Sequence, residues 1–321
     1  MKFYIKLIIG LVLCGILIYF VDWQKTSDVL LRVSIITVFA AFVVLSTNIF
    51  TSSLKWYILL KAHNVNIPLW ELTRIYWIST FLGNYLPTNF GGDVFRVVML
   101  KHLGHTATIA ASIAVERITG FIILIAWSVI ALLMRPEYFS LGNLLFFLWM
   151  AVGGFSLILV GIWFWGGGVS KLLHYFEKKI SSNKLNKIIL KIIKLSDSMA
   201  KYKKCKRELF LSFALSVVFY SVLLASNYLV LMAVGVNLSV KEVALIVPII
   251  PLVSLLPISL NGLGVSEGAF ILFFSQAGVQ PSEALAAALI RRVVHLLVSL
   301  IGFIFWLPKR AAIALQKDNL Q

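Results

Sequence analysis

Charge is what this sequence has least of. Charged residues make up 13% of its 321 residues and apolar residues 60%, against roughly a quarter and a half in soluble domains. Acids are scarcest, 13 against 29 Lys and Arg. The two cysteines, Cys14 and Cys205, are far apart, which excludes a disulfide framework or a Cys-based metal site. His102 and His105 have helical spacing but no acid or cysteine beside them, so no metal is expected. No P-loop, Rossmann glycine pattern or nucleophile elbow occurs; neither a cofactor nor a set of catalytic residues is expected. A cleavage site is missing too. Lys2 and Lys6 precede the apolar run Leu7 to Phe20, no small-x-small triplet follows, and Leu13 is too large for a lipobox. The run reads as an uncleaved first span.

What is present is apolar sequence in long runs, with a mean hydropathy of +0.95. Six segments are long enough to cross a bilayer core, which needs about 20 helical residues. They are Phe3 to Val21, Ile35 to Leu60, Thr108 to Met134, Leu144 to Trp165, Leu209 to Val234 and Ala284 to Leu307. The chain is therefore an all-α polytopic membrane protein, a single integral membrane domain over 1–321. Its net charge of +16 is read by position, as a topology signal and not as a sign of nucleic acid. Between Lys171 and Arg207 lie eleven Lys and one Arg against Glu177 and Asp197. This loop (about 170–207) should be cytoplasmic. Lys2 and Lys6, and Lys309, Arg310 and Lys317, put both termini on the same side of the cytoplasmic membrane. Leu185, Ile188, Ile189, Ile192 and Ile193 recur within the loop, as in an amphipathic helix resting on anionic inner-leaflet lipid.

Those sidedness assignments constrain the rest. The interval from Lys61 to Thr108 must start and finish inside, yet it holds two apolar pieces each too short to span, Leu72 to Leu86 and Val94 to Leu103. They meet at a break containing Pro87, Asn89, Gly91, Gly92 and Asp93. A re-entrant helical hairpin satisfies both lengths and parity. The stretch from Val243 to Ala277 must likewise begin and end outside, and it is broken at Pro257, Asn261, Gly262 and Gly264. Such backbone is tolerated at membrane depth only against protein or a water-filled cavity. Asp93 and Arg117 are 24 residues apart, as are Glu267 and Arg291. The halves thus read as an inverted repeat, about 35–134 and 209–307, an arrangement that places transporter sites near the midplane.

Ionisable side chains within spans each cost roughly 2.5–3.5 kcal/mol on insertion scales, so they need partners or a cavity. The candidates are Asp93, Arg96, Glu116, Arg117, Glu267, Arg291, Arg292 and His295. Asp93 and Glu267 suit equally the first turn of an outgoing helix, where a carboxylate offsets the helix dipole. Glu116 and Arg117 could pair with neighbours, and Arg291 and Arg292 could snorkel. The functional alternative is a positive, water-accessible phosphate site. Arg117 and Arg291 would bind the phosphate, Arg96 and Arg292 would assist, and Asp93, Glu116 and Glu267 would orient the arginines or exchange a proton. Asn89 and Asn261, at the two breaks, are further headgroup contacts.

The motif Asn84-Tyr85-Leu86-Pro87 with Gly91-Gly92-Asp93 and Arg96, then Glu116-Arg117, then Pro257 with Asn261 to Glu267, resembles the lysylphosphatidylglycerol synthase transmembrane region, or flippase-like domain family. The resemblance implies a protein that moves lipids across the inner membrane: a phospholipid, aminoacylated phosphatidylglycerol, a glycolipid or a polyprenyl-phosphate carrier. Fused members carry a soluble aminoacyltransferase domain after this region. The chain stops at Gln321, so transport and not synthesis is expected. A carboxylate that relatives often place soon after the Glu-Arg pair is replaced by Thr119 and Gly120. The alternative reading is a membrane-embedded glycosyltransferase, or an accessory subunit of a lipid-linked sugar pathway. The outer loops are too small for a sugar-binding domain. A homodimer or a partner lipid-modifying enzyme is compatible with either.

Overall fold

The structure, a computed structural model, describes residues 3–85, 91–139, 153–154, 161, 183–254 and 259–318; they form helices joined by short turns, with no strand among them. Four stretches are long and apolar enough to cross a membrane: Ile35–Lys61, Thr106–Met134, Lys206–Ala233 and Pro281–Leu307. They match four of the six expected spans. Helix α1 (Phe3–Phe20) occupies the first of the remaining two. The segment from Leu144 to Trp165 falls almost wholly outside the described residues, as does the loop from Lys171 to Ser182.

Helix α2 (Trp23–Leu31) starts where Asp22 accepts from the Lys25 N–H at 3.1 Å. Helix α3 (Ile35–Lys61) is inside out by the standard of a soluble helix. Ile36, Phe39, Val43 and Phe50 are exposed, whereas Asn48, Ser52 and Lys55 are buried. Lipid solvates apolar side chains as well as a protein core does, so the polar face carries the specific packing. That face meets α8 (Lys206–Ala233). The Ser34 N–H donates to the Ala233 carbonyl at 3.1 Å, the Ser226 hydroxyl to the Ala41 carbonyl at 3.1 Å, and the Lys55 ammonium to Ser216 Oγ at 2.6 Å. As numbers rise on α3 they fall on α8, so the two helices run antiparallel.

Helices α4 (Leu69–Tyr85) and α5 (Gly91–Met99) pack on each other on either side of residues 86–90. A Cβ at Gly92 would stand 2.3 Å from the Ser79 carbonyl oxygen, so only glycine permits this approach. After α6 (Thr106–Met134) and the described part of the basic loop, α7 (Asn183–Lys201), the pattern returns. Helix α8 leads into α9 (Val240–Ile246) and α10 (Ile249–Ser254), then a left-handed turn at Asn261, Gly262 and Gly264, then α11 (Val265–Gln276) and α12 (Pro281–Asp318). The packing pairs repeat as well. Helix α3 packs on α4, α6 and α12; α8 packs on α9, α12 and α6; α4 packs on α12, and α9 and α10 on α6.

Helix α7 is amphipathic as expected, with part of its apolar side against protein and Leu190 and Ile192 exposed. Ile193 and Met199 are buried, α7 packs on α6, and the Tyr202 hydroxyl that follows donates to the Leu59 carbonyl at 2.9 Å.

Candidate functional site

Two ionic clusters form, one in each half. In the first, Asp93 lies in the first turn of α5 and accepts from Arg117 Nε at 3.1 Å and Nη2 at 3.0 Å, a bidentate pair. Arg96, one turn on, donates to Asp93 at 3.3 Å and to Glu116 at 2.5 Å. Its guanidinium, wholly buried, stacks 4.0 Å from the Trp56 ring centroid and 4.4 Å from that of Tyr76. Glu116 also accepts from the Tyr76 hydroxyl at 2.8 Å. Lys55 completes the cluster and donates to the Glu116 backbone carbonyl at 2.8 Å and to Ser216. Removing one partner of such a buried pair strands the other charge, at about 3–5 kcal/mol. The cluster therefore ties α3, α4, α5, α6 and α8 to one another.

In the second cluster, Glu267 lies in the first turn of α11 and accepts from the Gly264 N–H at 2.8 Å, so it caps its own helix. It also accepts from Arg292 Nε. Arg292 Nη2 donates to the Gly262 carbonyl at 3.3 Å, and Arg291 donates to Ser266 Oγ at 2.7 Å. The pairing register thus differs between halves. Asp93 pairs with the arginine 24 residues on, whereas Glu267 pairs with Arg292, one residue beyond the expected Arg291.

A cavity of about 430 Å³ opens between α3, α4, α5, α6, α8 and α12, lined by Asn48, Ser79, Thr80, Asn84, Asp93, Arg117, Asn261 and His295 among others. Arg117 stands near the middle of α6, yet its side chain is 52% exposed because it faces this space. A smaller recess of about 80 Å³, which Arg117 also lines, has Lys55, Glu116, Gly120 and Tyr220 in its wall. The end of α4 and the turn before α11 meet at the cavity, where the Asn261 amide donates to the Asn84 carbonyl at 2.7 Å.

Of the residues singled out from sequence, Asp93, Arg96, Glu116 and Arg117 come together, and Asp93, Arg117, Gly92 and Asn261 line the cavity. Glu267, Arg291 and Arg292 form their own group and do not line it, although His295, one helical turn beyond Arg291, does. Gly91 opens α5. Asn89, Pro87 and Pro257 lie outside the described residues. Sequence reasoning missed Lys55, Asn48 and Tyr76. For the first two a signal was there: Asn48, Thr51, Ser52 and Lys55 recur at helical spacing inside an apolar span. Nothing local distinguished Tyr76 from the other tyrosines.

The family described as Lysylphosphatidylglycerol synthase TM region matches residues 4–302. Among curated proteins, a UPF0104 membrane protein of Pyrococcus horikoshii is 22% identical over 96% of this chain and 94% of its own length. One from Methanothermobacter thermautotrophicus is 21% identical over 90% of each chain, and one from Methanocaldococcus jannaschii 24% over 94% and 93%. No solved structure matches the chain.

Proposed function

The chain belongs to the lysylphosphatidylglycerol synthase transmembrane family, and on that premise we propose that it carries an anionic, phosphate-bearing lipid across the cytoplasmic membrane. Arg117 is the observation that carries this reading. A guanidinium held at mid-helix in a spanning segment, half exposed to a cavity and steadied by a carboxylate, suits a phosphate arriving with its acyl chains still in the membrane. Charge balance supports it. The first cluster sets Lys55, Arg96 and Arg117 against Asp93 and Glu116, and the second sets Arg291 and Arg292 against Glu267. Each is one cation in excess, so each gains by receiving an anion.

The topology belongs to the same proposal: six spans, two re-entrant hairpins (α4 with α5, and α9 and α10 with α11) and an inverted repeat. The repeated packing pairs and the antiparallel course of α3 and α8, which the repeat makes equivalent, support it. Alternating exposure of the two hairpins would pass the phosphate from Arg117 to Arg291 and Arg292. Both termini face the cytoplasm, where the exposed Lys194 and Lys201 of α7 meet anionic lipid.

Transbilayer movement of labelled anionic lipids in proteoliposomes tests the reading. Arg117→Ala should abolish it while the protein stays monodisperse in detergent. Undiminished movement would remove Arg117 from the pathway and the reading with it.

A further inference from the structure

The cavity's polar atoms differ in what they have left to offer. Ser79 Oγ and Thr80 Oγ1 donate to the Tyr76 carbonyl at 3.1 and 2.9 Å, and Ser254 Oγ donates to the Ile250 carbonyl at 2.8 Å. Each hydroxyl proton is committed to its own helix, which leaves acceptor lone pairs for anything else. Asn48 has committed nothing. It stands at the midpoint of α3, is 4% exposed and lines the cavity, and among the described residues neither Nδ2 nor Oδ1 has a hydrogen-bond partner. A buried, unpartnered amide is unfavourable, more so at membrane depth, and a ligand group that both donates and accepts offsets it. A hydroxyl does both.

Charge narrows the ligand further. The carboxylate lining the cavity is Asp93, which already accepts from Arg96 and Arg117. An ammonium entering there would meet no uncommitted carboxylate and would face Arg117. A phosphate would meet Arg117 with its neighbours' acceptors free for hydroxyls. A volume of about 430 Å³ falls within the roughly 300–1,000 Å³ of small-molecule sites.

We propose that this cavity is a subsite for a polyhydroxylated phosphate headgroup, a sugar- or polyol-phosphate, and that Asn48 selects its hydroxyls. The inference rests on the transport reading above, but the binding it claims is measurable apart from movement.

Full-length protein in vesicles is given three labelled lipids: phosphatidylinositol, phosphatidic acid and lysylphosphatidylglycerol. Phosphatidylinositol is expected to cross about tenfold faster than the other two, the gain from one or two added hydrogen bonds. Asn48→Leu should bring the ratio of phosphatidylinositol to phosphatidic acid near one, and Asn48→Gln, which keeps the amide, should retain part of it. Should Asn48→Leu fail to fold, Asn48→Ala is read by the same ratio. Equal rates in the unaltered protein, or a ratio unmoved by the substitution, overturn the proposal. If no lipid crosses, the transport reading falls, and the subsite is judged by thermal stabilisation in detergent. Inositol 1-phosphate raising the melting temperature more than inorganic phosphate, with the difference lost in Asn48→Leu, keeps the subsite and makes a free sugar phosphate its ligand. Equal shifts sink it.

Discussion

The side-chain amide of Asn261 donates to the backbone carbonyl of Asn84 at 2.7 Å, across 177 residues of chain. Asn84 lies one residue before the end of α4, and Asn261 sits in the left-handed turn that precedes α11. One hydrogen bond thus joins the end of α4 to the turn before α11 beside the cavity. Asn261 suits both tasks, since Asn tolerates a positive φ better than most residues and its amide reaches a neighbouring carbonyl.

Asn261→Gly should keep the turn and lose the tie, lowering stability by about 1 kcal/mol. Asn261→Val adds a β-branched side chain at a φ of 48° and should lower it further. Thermal unfolding in detergent ranks the two. Equal stability of all three proteins would mean the contact is incidental.

Arg96→Met should be severe, because it leaves Glu116 with one neutral donor, Tyr76, in a buried setting. A loss of about 3–5 kcal/mol is expected, and the double substitution Arg96→Met with Glu116→Gln should recover most of it. Additive losses in that cycle would contradict the pairing.

Lys55→Met should separate stability from transport. The ammonium is buried against a carbonyl and a hydroxyl and, among the described residues, makes no direct ion pair with a carboxylate. Replacing it with an apolar side chain of similar length should leave stability equal or raised by about 1 kcal/mol. Lipid movement should fall at least about tenfold, because the first cluster loses its excess positive charge. Lower stability with normal movement would assign Lys55 a purely structural part.

Gly92→Ala should force α5 away from α4, since the added methyl would press on the Ser79 carbonyl. Backbone cannot yield as a side-chain tip does, so a loss of about 1–3 kcal/mol is expected. A lower midpoint of thermal unfolding in detergent would report the separated helices; an unchanged midpoint would argue against close packing there.

His63, just past the end of α3, gives the contact between α3 and the segment after α7 a pH dependence. Its ring meets Tyr202 edge-on, centroids 4.2 Å apart, and burial, with Lys201 nearby, holds its pKa below the ordinary 6.5. The folded state therefore favours neutral imidazole. Its contribution is complete above pH 6.5 and is lost as pH falls through the depressed value. Protection of the α7 amides, relative to their intrinsic exchange, should fall between pH 7 and 5, and His63→Phe, which keeps the aromatic edge and cannot titrate, should flatten that profile. An equal acid response in both proteins would place the effect elsewhere.

Much of this molecule was legible along the chain because a bilayer imposes local rules. A span must be about 20 apolar residues long, a charge inside it needs a reason, and Pro with Gly interrupts a helix. Ile35–Lys61, Thr106–Met134, Lys206–Ala233 and Pro281–Leu307 follow from the first rule, and Asp93, Arg96, Glu116 and Arg117 from the second. Three-dimensional packing decided the rest. That Glu267 takes Arg292 and not Arg291 turns on which guanidinium the rotation of α12 presents to Gly262 and Glu267, a matter of about 100° per residue. That Asn48 and Lys55 face a cavity and a recess depends on α8 covering the same side of α3, with Ser216 161 residues after Lys55. Hydropathy and helix breaks act over a few residues and are written in order, whereas a cavity exists only between helices that the chain brings together from far apart.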